Sequence, residues 1–473
     1  MLFTTGKFWV FFIIVFFVYW TIASSRRLAV LFLLLASYYF YALWNPKFVL
    51  LLFAISSIDF LTAKGINAAR GLRTRRLFLS TSITIDVGTL IVFKYFNFFS
   101  SSTTSLLALL HWQTRSLLIE DLVIPLGLSF ITFRSLSYVI DVYRKTLPAT
   151  PRYLDYLAFV AFFPTLIAGP VVRAKDLLPQ FEQAKTSSEL GREGLFLILL
   201  GLVKKIAIAD LIGMNLVDRV FDQPQLYSSV ETLAAIYGYA LQIYCDFSGY
   251  TDIAIGCALL LGFKLPANFN APYRAQNLRE FWKRWHITLS TWLFDYVYVA
   301  IGGLRKRRFN LYRNLVITFL IGGLWHGAAW TFVIWGGLNG LGLSVSHWWE
   351  AYRRRRGKTS STRWWLKALS VLATFHFVCL TWIVFRADSL DQVLSVLRRL
   401  GALQFSTGNL PTSLLLVLGI AYLAHWTPNK LLTSIRDGWG WLPSPAQAIV
   451  ILSVAFGLYY VSGAEVQFIY GNF

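Results

Sequence analysis

The sequence predicts an all-α, polytopic integral membrane protein, read as one domain over residues 1–473, with roughly 10–13 transmembrane helices plus re-entrant segments. Three observations predict it. Hydrophobic residues make up 56% of the 473 positions and charged residues only 14%, with a mean hydropathy of +0.56. A soluble globular chain carries roughly a quarter charged residues. Apolar runs able to cross a hydrocarbon core of roughly 30 Å recur along the whole chain, leaving no room for a soluble domain of ordinary size. The runs are continuously apolar rather than alternating, which favours helices over barrel strands.

In chain order the candidate spans lie near 8–22, 28–43, 47–63, 77–96, 122–142, 153–171, 194–213, 229–262 (one span or two), 280–301, 314–331, 332–349, 366–386, 412–427 and 446–462. The first run has only Lys7 ahead of it and a second starts at Leu28, so it reads as an uncleaved span. In "PTLIAGPVVR", Gly169 and Pro170 interrupt a helix where a crossing needs continuity. Irregular backbone at that depth requires cover from protein or a cavity, so a re-entrant segment is expected. Loops such as "SSSTTS" are too short for a domain, and no internal repeat is visible.

The 44 Lys and Arg residues against 23 Asp and Glu sit in short loops between apolar runs, the pattern of positive-inside orientation rather than of nucleic-acid binding. Arg26 and Arg27, then Lys64, Arg70, Arg73, Arg75 and Arg76, follow the first and third spans. That places those loops in the cytoplasm and the N-terminus outside. "RKRRFNLYR" (305–313) and "RRRRGKTSSTRWWLK" (353–367) belong on the same side. The segment between them therefore crosses and returns, with His326 roughly 18 Å along a helix from Asn314, near the midplane. Cys245, Cys257 and Cys379 form no CxxC pair and read as small buried hydrophobes.

Three stretches bear polar side chains at apolar depth. In "IGGLWHGAAW", His326 lies among Gly322, Gly323 and Gly327, with Trp325 and Trp330 as rigid walls. This is either a tight helix-packing seam or the setting of a general base, since a neutral imidazole accepts a proton at physiological pH. In "EFWKRWHITLSTW", Trp282, Trp285 and His286 share a helix face continued by Leu289 and Ser290. Such a face anchors in headgroups or lines an entrance. In "IYCDFSGYTDIAIG", Asp246 and Asp252 flank Ser248, Tyr250 and Thr251. An intramembrane carboxylate suggests function, and a hydrogen-bonding scaffold is favoured here over a catalytic pair or an ion site. Their six-residue spacing does not put them on one face of a continuous helix, and Gly249 is expected to break it. "LPANFNAPYRAQNLREFW" reads as an ordered loop carrying Asn268 and Asn270, and Arg274, Arg279 and Arg305 to Arg308 suit the phosphates of a cytoplasmic donor. No Walker loop, HExxH, GxSxG or dinucleotide fingerprint occurs, and no metal site is expected.

Taken together, "YCDFSGYTDIAIG", "NFNAPYRAQNLREFWKRWHITLSTW", "GGLWHGAAWTFVIWG", "FRADSLDQV" and the closing "FIYGNF" resemble the membrane-bound O-acyltransferases, within them the bacterial branch typified by the membrane subunit of alginate O-acetylation. The resemblance implies a ring of helices around a thin centre pierced by a tunnel. It implies His326 as catalytic base and His286 as the second characteristic residue. Substrate-binding or tunnel-lining positions are expected at Asp246, Ser248, Tyr250, Asp252, Asn270, Trp285, Trp325 and Asn339. It implies acetyl-CoA as acyl donor with no bound cofactor, a multi-pass place in the bacterial inner membrane, and contact with membrane lipids but not nucleic acid. An extracytoplasmic acetyltransferase or SGNH-hydrolase-like partner would acetylate an exopolysaccharide such as alginate. Peptidoglycan, cellulose, another wall polymer or D-alanyl transfer to teichoic acid are alternatives, and a transporter is a more distant one. The chain departs from the branch at Leu293 and Phe294 before Asp295, at "VAIGG", and at Asn339, where relatives often carry a histidine.

Overall fold

A chain this apolar must satisfy its backbone polar groups internally, and helices do so within one segment. The computed structural model describes residues 3–112, 115–120, 122–182, 187–303, 308–357 and 363–461, and every regular element among them is helical. Arg305 to Arg307 and the closing "FIYGNF" lie outside the described residues. Packing divides the chain into two units, residues 1–190 with 257–266, and residues 191–256 with 267–472.

The first unit contains α1 (Gly6–Ile22), α2 (Arg26–Ala42), α3 (Lys47–Ala68), α4 (Leu72–Leu90), α5 (Phe96–Leu109), α6 (Leu128–Tyr143), α7 (Tyr153–Ala161) and the short α8 (Ala174–Leu177). Thr5 caps α1 by accepting from the Phe8 amide at 3.3 Å. A π turn, Ile91–Tyr95, joins α4 to α5, so "SSSTTS" is helical and not a loop. The span expected from 122 begins only at Leu128. Gly127 there adopts φ 72°, and a Cβ on it would meet the Leu166 carbonyl oxygen at 2.4 Å. The 153–171 run breaks as expected but earlier than Gly169 and Pro170, after Ala161: residues 155–172 are buried and run through a short 3₁₀ turn, Phe163–Thr165. Buried side chains satisfy this stretch. Arg134 donates to the carbonyls of Val160 and Thr165, and Ser37 Oγ accepts from the Phe163 amide.

The second unit contains α9 (Ser188–Leu202), α10 (Asp218–Asp222), α11 (Ser229–Leu260), α12 (Leu278–Trp282), α13 (Ile287–Trp292), α14 (Arg308–His326), α15 (Trp330–Arg355), α16 (Trp364–Arg386), α17 (Leu390–Gly401), α18 (Thr412–Trp426), α19 (Asn429–Trp441) and α20 (Ser444–Val461). π segments follow α9 (Val203–Asp210, Gly213–Val217) and α13 (Leu293–Tyr298). α17 and α19 are amphipathic helices that hydropathy alone passes over. α17 starts at Ser389, whose side chain accepts from the Gln392 amide, and ends in Arg398 and Arg399, which suit the helix dipole.

α11 is one continuous helix of 32 residues, so Gly249 does not break it. Gly249 serves close packing. A Cβ on Gly249 would meet the Gly201 carbonyl oxygen at 2.7 Å, and one on Gly256 would meet that of Gly194 at 2.5 Å. Two glycine pairs, each two turns apart, thus let α9 and α11 touch backbone to backbone in antiparallel register.

Four described segments are long and apolar enough to cross a membrane by length and composition: Lys47–Ala68, Leu72–Leu109, Trp364–Arg386 and Ser444–Val461. Gly6–Ile22 and Thr412–Trp426 are shorter apolar helices. The ten to thirteen spans expected include long helices such as α11, α14 and α15, whose glycines and polar residues keep them out of this most apolar set. The protein is an all-α, polytopic membrane protein.

Candidate active site

α14 and α15 form a hairpin whose turn carries His326. The two helices approach closely because Gly323 and Gly336 leave no side chain between them: Cβ atoms there would meet the carbonyl oxygens of Phe332 at 2.2 Å and Phe319 at 2.3 Å. The glycines of this stretch therefore do form the packing seam that the sequence suggested. His326, 3% exposed, is the last residue of α14. Its ring meets Trp325, Trp335 and Phe385 edge to face at 4.9, 5.0 and 5.1 Å between centroids. Phe385 comes from α16, within the "FRADSLDQV" stretch.

His286 does not lie on a continuous helix face. The 280–301 run breaks at Lys283, and His286 sits at φ 41°, ψ 55° as the residue before α13. A left-handed conformation at a residue with a Cβ is costly and has to be imposed by its surroundings. The imposing element is the loop that holds Asn268. The Asn268 backbone carbonyl accepts from the Ile287 amide at 2.9 Å, and its side-chain Oδ1 accepts from Thr288 N at 3.2 Å and Thr288 Oγ1 at 2.8 Å. His286 Nδ1 lies 3.1 Å from the same Oδ1. An oxygen that already accepts two hydrogen bonds requires a donor from the imidazole, so Nδ1 carries the proton of the neutral ring. Nε2 then presents its lone pair, buried and with no hydrogen-bond partner among the described residues.

α12 is placed by its own caps. Asn277 Oδ1 accepts from the Glu280 amide, and Glu280 reaches back to the Gln276 amide, each at 2.9 Å. Arg284 then ties Glu280 to the Asn270 carbonyl. Asn270 itself is exposed and engages through its backbone; the residue that holds His286 is Asn268, two positions earlier. Trp285 is 1% exposed, stacked on Phe281 and packed against Phe269 and Trp382. The headgroup-belt reading therefore fails for Trp285 and His286: both are interior. Asn339 is buried and bonds back to the Trp335 carbonyl at 2.9 Å.

Trp325 joins the two histidines. Its ring stands 5.9 Å from His286 and 4.9 Å from His326. Two imidazoles far apart in sequence thus flank one indole, inside walls of Phe247, Phe269, Trp335 and Phe385.

The carboxylates of α11 have partners that sequence reading missed. Asp246 pairs with Lys205 at 2.6 Å, Lys205 also reaches Asp210 at 2.7 Å, and Asp252 pairs with Lys204 at 2.6 Å. These consecutive lysines stand in the π segment after α9, the helix held to α11 through Gly201 and Gly249. Ser248 and Tyr250 are buried beside them. The arrangement is a set of ion pairs joining α11 to the π segment after α9. Among the described residues no group of three or more His, Cys, Asp or Glu is placed to hold a metal ion, and all three cysteines are buried and free.

Residues 78–385 match the membrane-bound O-acyltransferase family. The chain is 42% identical over 354 residues to a probable alginate O-acetylase of Pseudomonas aeruginosa, covering 74% of this chain and 66% of that protein. It is 39% identical over 372 residues to a probable alginate O-acetylase of Azotobacter vinelandii (78% and 71% covered). To a peptidoglycan O-acetyltransferase of Helicobacter pylori it is 38% identical over 386 residues (76% and 71% covered). It thus spans just under two thirds of the first relative's length. Every candidate residue named above for the site falls within the matched 78–385, and the chain belongs to the membrane-bound O-acyltransferase family.

Proposed function

We propose that this protein transfers an acetyl group from a cytoplasmic thioester, acetyl-CoA, to a hydroxyl reached from the far side of the bacterial inner membrane. The observation that carries this reading is the pair of buried imidazoles flanking Trp325, one held by Asn268 as a fixed tautomer. His326 takes the proton of the acceptor hydroxyl as its oxygen attacks the thioester carbonyl. The C–O bond forms, the C–S bond breaks, and the proton passes from His326 to the departing thiolate. His286, able only to accept at Nε2, orients the hydroxyl. The indole N–H of Trp335 is buried, donates to no atom among the described residues and belongs to the ring set around His326. It is the donor available to the carbonyl oxygen as charge develops. The aromatic enclosure around the two imidazoles keeps water out, so transfer competes with hydrolysis. An extracytoplasmic acetyltransferase or SGNH-hydrolase-like partner takes the acetyl group on to an exopolysaccharide such as alginate. The relative from Helicobacter pylori supports peptidoglycan as the second acceptor to assay.

The test compares base-released acetyl on exopolysaccharide and on peptidoglycan in cells with wild-type protein and with His326→Ala at matched membrane abundance. Loss of a general base predicts a fall of about 10²–10⁴-fold. Full acetylation in the variant sinks the assignment of His326. Unchanged acetyl on both polymers after deletion of the gene sinks acetyl transfer itself.

A further inference from the structure

A cleft of about 1310 Å³ lies between α15 and α16, floored by α12. It exceeds the roughly 300–1,000 Å³ of pockets that enclose small molecules. Its walls are two helical stripes. Leu338, Leu341, Val345, Trp349, Arg353 and Arg356 recur at three- and four-residue spacing on α15 and just past its end, and Leu366, Leu369, Ala373 and Phe377 do so on α16. The three elements close at Gly342, where a Cβ would meet Phe377 at 2.5 Å and Leu278 at 2.8 Å.

Polarity changes along the cleft in one direction. From Leu338 to Trp349 the lining of α15 is apolar apart from Ser346 over about 16 Å of helix rise, close to the depth of one leaflet of a hydrocarbon core about 30 Å thick. Leu341, Val345 and Leu369 there are exposed, 57%, 62% and 55%. At the other end the lining holds six cationic side chains, Arg279, Lys283, Arg353, Arg354, Arg356 and Lys367, against two carboxylates, Glu280 and Glu350. Both carboxylates are already engaged, Glu350 by Arg279 and Arg354, Glu280 by Arg284. Trp349 stands where the two halves meet, the level at which indoles anchor in membranes.

We infer that this cleft binds an anionic glycerophospholipid, acyl chains against Leu341, Val345 and Leu369 and headgroup phosphate against Arg356 and Lys367. The excess positive charge selects an anionic headgroup. The exposed apolar wall selects a ligand that arrives from the bilayer rather than from water. A water-soluble nucleotide thioester has no use for that wall.

The experiment uses the full-length protein, purified and delipidated in detergent, titrated with dioleoyl phosphatidylglycerol or with phosphatidylcholine of the same chains while its melting is followed. Phosphatidylglycerol raises the melting temperature saturably and phosphatidylcholine does not. In Arg356→Gln/Lys367→Gln the lipid needed for half the effect rises about tenfold or more, with lipid-free melting unchanged because both side chains are exposed. Leu341→Trp, which fills the apolar half, weakens the effect independently of charge. Equal stabilisation by both lipids, or an unaltered response in both variants, overturns the assignment. Displacement of phosphatidylglycerol by coenzyme A also overturns it, giving the cleft to the acyl donor.

Discussion

The contact between α9 and α11 and the chamber around Trp325 both bury polar side chains in apolar surroundings, and they handle the cost in opposite ways. In the first, Lys205 stands between Asp246 and Asp210 and Lys204 meets Asp252, so each charge is spent on an opposite charge. In the second, His286 is fastened at Nδ1 alone, and its other ring nitrogen has no hydrogen-bond partner among the described residues. A compensated group holds the fold, and a group with an uncommitted atom in an enclosed space can do chemistry. By that measure Asp246 and Asp252, each paired with a lysine, are compensated groups. In the proposed mechanism the proton transfer runs through the imidazoles instead.

The contrast breaks most visibly at Lys205. Lys205→Met leaves Asp246 and Asp210 buried without their cation, which costs about 3–5 kcal/mol. The expected result is a large loss of folded protein, read from membrane abundance and melting. Retained stability with lost transfer would instead move Lys205 into the chemistry. Gly249→Ala tests the same contact more gently. Its added methyl meets Gly201 O at 2.7 Å, and overpacking of this kind costs about 1–3 kcal/mol, again in melting rather than in transfer per folded molecule.

At the chamber the expected pattern reverses. Asn268→Ala removes the acceptor that sets the His286 tautomer, and transfer should fall roughly 10–100-fold, less than for loss of a general base. Asn268→Asp, which keeps an acceptor, should recover part of it. A loss that the aspartate does not recover would make Asn268 a packing residue only. The smallest effect is at Asn270→Ala, whose exposed side chain should change melting by less than about 0.5 kcal/mol and leave transfer near wild type. A loss equal to that of Asn268→Ala would return Asn270 to the site.

The sequence was informative wherever one segment suffices. Gly169 and Pro170 announce that the 153–171 run is not one continuous helix, and continuous apolarity announces helices and a membrane. The glycines around His326 announce close packing. It misled where a local pattern has a second solution. Gly249 reads as a breaker, yet inside α11 the space above it is taken by Gly201 of another helix. The face drawn through Trp282, Trp285 and His286 assumed continuity, and the Asn268 loop turns the chain at Lys283 instead.

By itself the amino-acid sequence determined the class of the protein, the course of most of its helices, and the three stretches where buried polarity has to be explained. It did so because hydrophobic burial and backbone satisfaction act residue by residue. The tertiary structure decided which polar group meets which. That Lys204 and Lys205 face Asp252 and Asp246, that Asn268 rather than Asn270 holds His286, and that Trp325 lies between both histidines depend on helices far apart in the chain. Pairing energy exists only once packing has brought the partners within hydrogen-bonding reach, and no spacing within one segment encodes that distance.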